Sequence, residues 1–163
     1  MTEELVLLPT GKPHVSFSEV RMWKECPWRH KLYHIDKLSI QEESPHLHYG
    51  TIVHEAVEGF LNTGNMNISM CQDQIEEAWS TYGFDSDEFI KKETERARKQ
   101  GWKYRHDNLE TWKQSAENCL TRLPSFMDEQ FGEWRSIEAE HKLYEDIRGA
   151  SGEKFKGFID AII

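Results

Sequence analysis

The sequence predicts an α/β fold with a large helical part, and three observations carry that expectation. Apolar residues recur at three- and four-residue spacing over most of positions 16 to 134, the period of a helix with one buried face. From Ile137 the pattern changes to alternation, the period of a strand. Gly149 to Gly152 then separates that stretch from a second apolar run, Lys154 to Ile163, which predicts an antiparallel hairpin. A chain of 163 residues is long enough to bury a core as one domain, helical over 16–134 and strand hairpin over 135–163.

The elements follow in order. Ser16-Phe17-Ser18-Glu19 has capping-box form, with Ser16 placed to accept an amide hydrogen bond and Glu19 to return one. A helix is expected from Phe17 to near Glu25, and Pro27 should open a second through Tyr33. A loop containing Pro45 leads to Tyr49-Gly50. Between Thr51 and Leu61, Ile52, Val53, Ala56, Val57, Phe60 and Leu61 share one helical arc that Gly64 ends. Ser69 to Trp134 reads as helical throughout, with Pro124 expected to kink or restart the last helix. Most of the six tryptophans fall in this region and read as core anchors. In the first strand Ile137, Ala139 and Leu143 take one face and Glu138, Glu140 and Lys142 the other. The second strand carries Phe158, Asp160 and Ile162 on one face and Ile159, Ala161 and Ile163 on the other.

Composition narrows the functional classes. Hydrophobic residues at 37% with 12% aromatics argue against wholesale disorder. The first dozen residues, with the apolar run Leu5 to Leu8, lack the basic start and longer apolar stretch of a secretory signal. No segment has the length of uncharged residues that a membrane span needs. Three widely spaced cysteines, Cys26, Cys71 and Cys119, suit reduced thiols, so a cytoplasmic protein with no membrane partner is expected. The net charge of −9 opposes broad adhesion to nucleic acid. One stretch runs against it: Lys91, Lys92, Arg96, Arg98, Lys99, Lys103 and Arg105 stand against only Glu93 and Glu95. It is either a solvated helix face or a guide for a polynucleotide backbone.

Few residues carry chemistry by position alone. Asp160 lies on a strand apolar on both faces, which predicts an internal strand and a buried carboxylate. Such a group must be protonated, hydrogen-bonded, paired with a cation or bound to a metal. His54 falls at the border of its helix's apolar arc beside Glu58, where it is a packing residue or a ligand. Cys26, His30 and His34 are spaced by four, but Pro27 interrupts the helix that would align them and no fourth zinc ligand is evident. His46 and His48 with His54 form another weak set. Phosphate-binding glycine loops and serine nucleophile elbows are absent from the sequence.

The order of three motifs is more specific than any of them. Ser16-Phe-Ser-Glu-Val-Arg-Met-Trp-Lys-Glu-Cys26-Pro27-Trp-Arg-His-Lys-Leu-Tyr33 resembles the opening motif of RecB-like nucleases. Gly50-Thr-Ile-Val-His54-Glu-Ala-Val-Glu58 is similar to that branch's Gly-x-x-x-His helix. Glu140, then Phe155-Lys-Gly157-Phe-Ile-Asp160-Ala-Ile-Ile163, resembles a strand pair ending in Gly-x-x-Asp. Spread over positions 16 to 163, these resemble the PD-(D/E)XK nuclease superfamily in its RecB-like, CRISPR-adaptation-type exonuclease branch.

That resemblance implies a restriction-endonuclease-like α/β/α core with helices flanking a mixed sheet. It implies that His54 and Asp160 bind a divalent metal, Mg²⁺ or Mn²⁺, with Glu140 on the preceding strand joining them and Glu138 as the alternative if the register shifts by two. Asp160 and Glu140 are then catalytic, and DNA is the substrate, with a helicase or another recombination protein as a possible partner. The implied role is exonucleolytic, in recombination, repair or phage genome processing, in a bacterial or phage-infected cell. The family pattern continues with an acid-x-lysine on the next strand, and no such motif follows Asp160 in these residues; Glu140-His-Lys142 has the form but precedes the aspartate strand. The expectation is therefore the N-terminal part of one nuclease domain, its sheet incomplete at the C-terminus and its activity lost, or alternatively a non-catalytic module binding DNA or protein. An iron–sulfur cluster is not expected, because Cys71 and Cys119 do not match the positions that relatives use.

Overall fold

In a computed structural model describing residues 7–38, 42–149 and 152–163, the chain has the mixed α/β structure the sequence predicts. The described residues divide into two compact units, one formed by the residues up to 38 with Glu138–Ile162, the other by Glu42–Ile137. Part of the apolar run Leu5 to Leu8, and the centre of the expected turn at 150 and 151, lie outside the described residues.

The first unit starts with a short strand that the sequence pattern did not predict, β1 (His14–Ser16). Its last residue caps α1 (Phe17–Glu25): Ser16 Oγ accepts from the Glu19 amide at 3.3 Å. Glu19 does not complete a capping box. It is buried, with Oε1 3.4 Å from His30 Nε2. Cys26 ends α1 and caps α2 (Pro27–His30), which passes into a π-helical turn, Lys31–Ile35. The expected helix through Tyr33 is thus present but changes its winding. The hairpin is β2 (Glu138–Asp146) and β3 (Lys154–Ile162), antiparallel as expected. β1 pairs in parallel with the start of β3, ending at Ser16↔Lys156, and the order is β1-β3-β2.

β3 is therefore internal among the described strands, as its apolar sequence predicts. Burial of Asp160 does not follow, because Phe158, Ile159 and Asp160 are all exposed. β1 pairs only with the first part of β3, as far as Lys156.

The second unit is helical: α3 (Pro45–Thr63), α4 (Ile68–Tyr82), α5 (Asp87–Lys99) and α6 (Leu109–Phe131). α3 begins at Pro45, where a loop was expected; proline is suited to a first helical turn, where its missing N–H leaves no bond unmade. Gly64 ends α3 in the left-handed region (φ 75°). The segment from 69 to 134 is not one run of helix, being broken at residues 83–86 and 100–108. Asn67, Ser86 and Asn108 accept amide hydrogen bonds at the starts of α4, α5 and α6. α6 continues through Pro124 without a restart. Ile52, Cys71, Ile75, Trp79, Phe84, Ala116 and Leu120 form the core of this unit. Trp79 is buried, and Trp112 packs on it with centroids 5.4 Å apart. The anchoring role does not extend to Trp23, Trp28 or Trp102, which are about half exposed or more.

Candidate metal centre

Glu140 and Asp160 face each other across the hairpin. The register pairs Ala139 with Ala161 and His141 with Ile159, so the two acids occupy the intervening opposed position. An oxygen of each carboxylate lies within 4.8 Å of one on the other. Glu140 also has a left-handed backbone, φ 55°, which interrupts pairing at that residue while leaving the register unchanged on both sides. A non-glycine residue in that region costs about 1–3 kcal/mol and tends to mark a functional position. Glu140 is half-buried and Asp160 exposed, so the pair is accessible to an ion. Two carboxylates so placed offer hard oxygen donors of the type Mg²⁺ and Mn²⁺ prefer. Glu138, the alternative to Glu140, lies at the start of β2 with an oxygen 2.8 Å from His141 Nδ1.

Gly157 fits the same strand for a local reason. A Cβ there would meet the Phe155 ring at 3.1 Å, so glycine lets that ring lie along β3. His54 is on α3 in the helical unit, exposed rather than packed into the core formed by Ile52 and Phe60.

The weaker histidine sets lead elsewhere. Cys26 caps α2 and the His30 and His34 rings pack with centroids 5.0 Å apart, but these three residues form no candidate metal group among the described residues. His46 packs against Trp112 at 4.9 Å, and His48 Nε2 is 2.6 Å from Glu43.

The basic stretch is divided in character. Lys91, Lys92, Arg96, Arg98 and Lys99 are exposed on α5, while Lys103 and Arg105 are exposed in the segment that follows. Arg96 is 2.6 Å from Glu42, Lys92 is 3.8 Å from the same carboxylate, and Arg105 is 3.2 Å from Asp107. Lys91, Arg98, Lys99 and Lys103 supply the remaining exposed cations of the stretch.

Among the described residues no helix is long and apolar enough to cross a membrane. A sequence model of the PD-(D/E)XK nuclease superfamily matches residues 14–163. No curated protein and no solved structure matches the chain.

Proposed function

The chain belongs to the PD-(D/E)XK nuclease superfamily, and from that membership we propose that it is a metal-dependent deoxyribonuclease in which His54, Glu140 and Asp160 hold Mg²⁺ or Mn²⁺. Superfamily membership implies nucleic-acid binding, and these nucleases generally use divalent metals. The observation that carries the site assignment is the opposed Glu140–Asp160 pair, with the left-handed backbone at Glu140.

Bound there, the ion would make an attacking water more acidic and offset charge developing on the phosphate. The chain's own part is positional. Glu140 and Asp160 are fixed by two strands in one register, so neither needs to reorganise to present an oxygen. His54 contributes a nitrogen donor from a regular helix. The exposed cations from Lys91 to Arg105 guide the DNA backbone in this reading.

The spacing of the Ser16–Tyr33, Gly50–His54 and Gly157–Asp160 motifs supports the RecB-like branch. With it come an exonucleolytic mode, a role in recombination, repair or phage genome processing, a cytoplasmic setting, and a helicase as the kind of partner. These 163 residues hold metal donors but no acid-x-lysine after Asp160. Losing one group that acts on the transition state costs about two to three orders of magnitude in rate, so a polypeptide without an acid-x-lysine would cleave DNA only at trace level.

The test is a paired assay on labelled linear DNA with Mn²⁺, and with EDTA as control. The 163-residue chain is compared with a version extended by a strand bearing acid-x-lysine. The extended chain should cleave, and Asp160→Ala within it should abolish cleavage. Silence from both chains with DNA binding intact would instead support the non-catalytic module.

A further inference from the structure

The end of β1 lies beside a second feature of the sheet unit. A cleft of about 620 Å³ opens there, lined by Lys12, His14, Phe17, Lys156 and Phe158 among others. β1 stops pairing at Ser16↔Lys156 and the chain turns into α1, so among the described residues the β1-side edge of β3 has no strand partner from Gly157 onward. The Phe17 and Phe158 rings are 66% and 54% exposed, a costly arrangement for two phenylalanines at one opening unless something covers them. Lys156 Nζ lies 5.5 Å from the Phe158 ring centroid, and Lys142 Nζ lies 5.8 Å from that of Tyr144. Tyr144 in turn meets the His14 ring edge-on at 5.9 Å. Burial lowers the His14 pKa, Lys156 and Lys12 lower it further, Glu19 opposes them, and Lys142 adds a smaller lowering effect. Three lysines therefore direct their charge at one point, on a molecule whose net charge is −9.

We propose that this cleft binds a single-stranded DNA segment, its phosphates on Lys12, Lys142 and Lys156 and its bases against Phe17 and Phe158. The proposal rests on the nuclease reading and deepens it by naming the form of the substrate. Cations interleaved with exposed rings are the chemistry that holds unpaired strands, because a stacked duplex hides the base faces that rings need. Strand alternation puts Lys156, Phe158 and Asp160 on one face of β3. Lys156 lies four residues before Asp160, about 13 Å along an extended strand. A strand seated in the cleft would thus run along the sheet toward the carboxylate pair.

The test uses the whole chain in EDTA, so that no metal contributes, and fluorescence anisotropy of a labelled twelve-nucleotide oligothymidine. Oligothymidine should bind at least about tenfold more tightly than a duplex of equal length, because stacking on rings requires free bases. Lys142→Glu with Lys156→Glu should weaken binding by about tenfold or more and make its salt dependence shallower by one to two in log–log slope. Phe17→Ala with Phe158→Ala, two exposed positions, should weaken it by about fivefold or more with the salt slope unchanged. No binding of oligothymidine, duplex bound as tightly, competition by polyglutamate as effective as by oligothymidine, or unchanged affinity in both double variants would each overturn the proposal. Mn²⁺ titration without DNA separates this result from the metal assignment. Strand binding with no Mn²⁺ binding leaves the cleft standing and removes the metal site; the reverse removes the cleft alone.

Discussion

Glu140 and Asp160 are direct cross-strand neighbours, and only the first has a left-handed backbone. The pairs on either side, Ala139↔Ala161 and His141↔Ile159, keep a regular antiparallel register. The deviation is thus confined to one residue, and that residue is an acid facing another acid. Like charges in this position oppose folding unless a counter-charge intervenes. In the reading proposed above, a divalent cation held between the two acids would be such a counter-charge.

The first prediction tests that strain. At an ordinary strand position alanine is more stable than glycine. At Glu140 the order should reverse: Glu140→Gly should be more stable than Glu140→Ala by about 1 kcal/mol, because the left-handed region penalises a Cβ. Urea unfolding of the two variants measures the difference. Alanine as the more stable variant would mean that φ at 140 is not held positive in solution.

Core packing gives a second prediction, independent of function. Leu120 is fully buried in α6 against the core of the helical unit. Leu120→Ala should cost about 2–5 kcal/mol by denaturant unfolding, from lost burial and the cavity left behind. A cost below 1 kcal/mol would contradict the packing described.

A third concerns pH. His34 is buried in the π-helical turn, and burial lowers its pKa; Glu19 opposes this, while His30, Lys12 and Lys37 add to it. The unfolded chain then takes up this proton at a higher pH than the folded one. The stability contributed by neutral His34 is fully present above the ordinary histidine value of about 6.5 and is lost as pH falls below it toward the depressed folded value. Melting temperature should fall between pH 7.5 and 5.5, and His34→Phe should make that fall smaller. An equal fall in the variant would remove His34 as the cause.

A fourth addresses the basic stretch. Arg98 and Lys99 are exposed on α5. Reversing both to glutamate should weaken DNA binding and flatten its salt dependence, with little change in melting temperature, since exposed charges seldom decide stability. Unchanged affinity and salt slope would make this a solvated face only.

Much of this was legible in the sequence, and the omissions have physical reasons. The bounds of α1 follow from Ser16 as cap and from Cys26-Pro27, both local signals. The hairpin follows from alternation on each side of a glycine turn. β1 did not, because three residues are too few to show a period, and with it went the clustering of Lys12 and His14 beside Lys156. The start of α3 was hidden because Pro45, His46 and His48 read as loop composition. The exposure of Asp160 depends on how far a neighbouring strand extends, which no pattern within β3 encodes. The motifs single out Glu140 and Asp160, but not the left-handed conformation at Glu140, since no glycine or asparagine announces it.

The central claim is that Glu140, Asp160 and His54 hold one divalent ion. The most direct measurement is an anomalous difference map from crystals of the chain soaked in Mn²⁺, collected where manganese scatters anomalously. The account predicts one strong peak about 2.0–2.3 Å from a carboxylate oxygen of Glu140, a carboxylate oxygen of Asp160 and a ring nitrogen of His54, by analogy with other hard-cation sites, and no peak there in Asp160→Ala crystals. A map with no peak at these residues, or with manganese bound elsewhere while Glu140 and Asp160 remain clear, would contradict it.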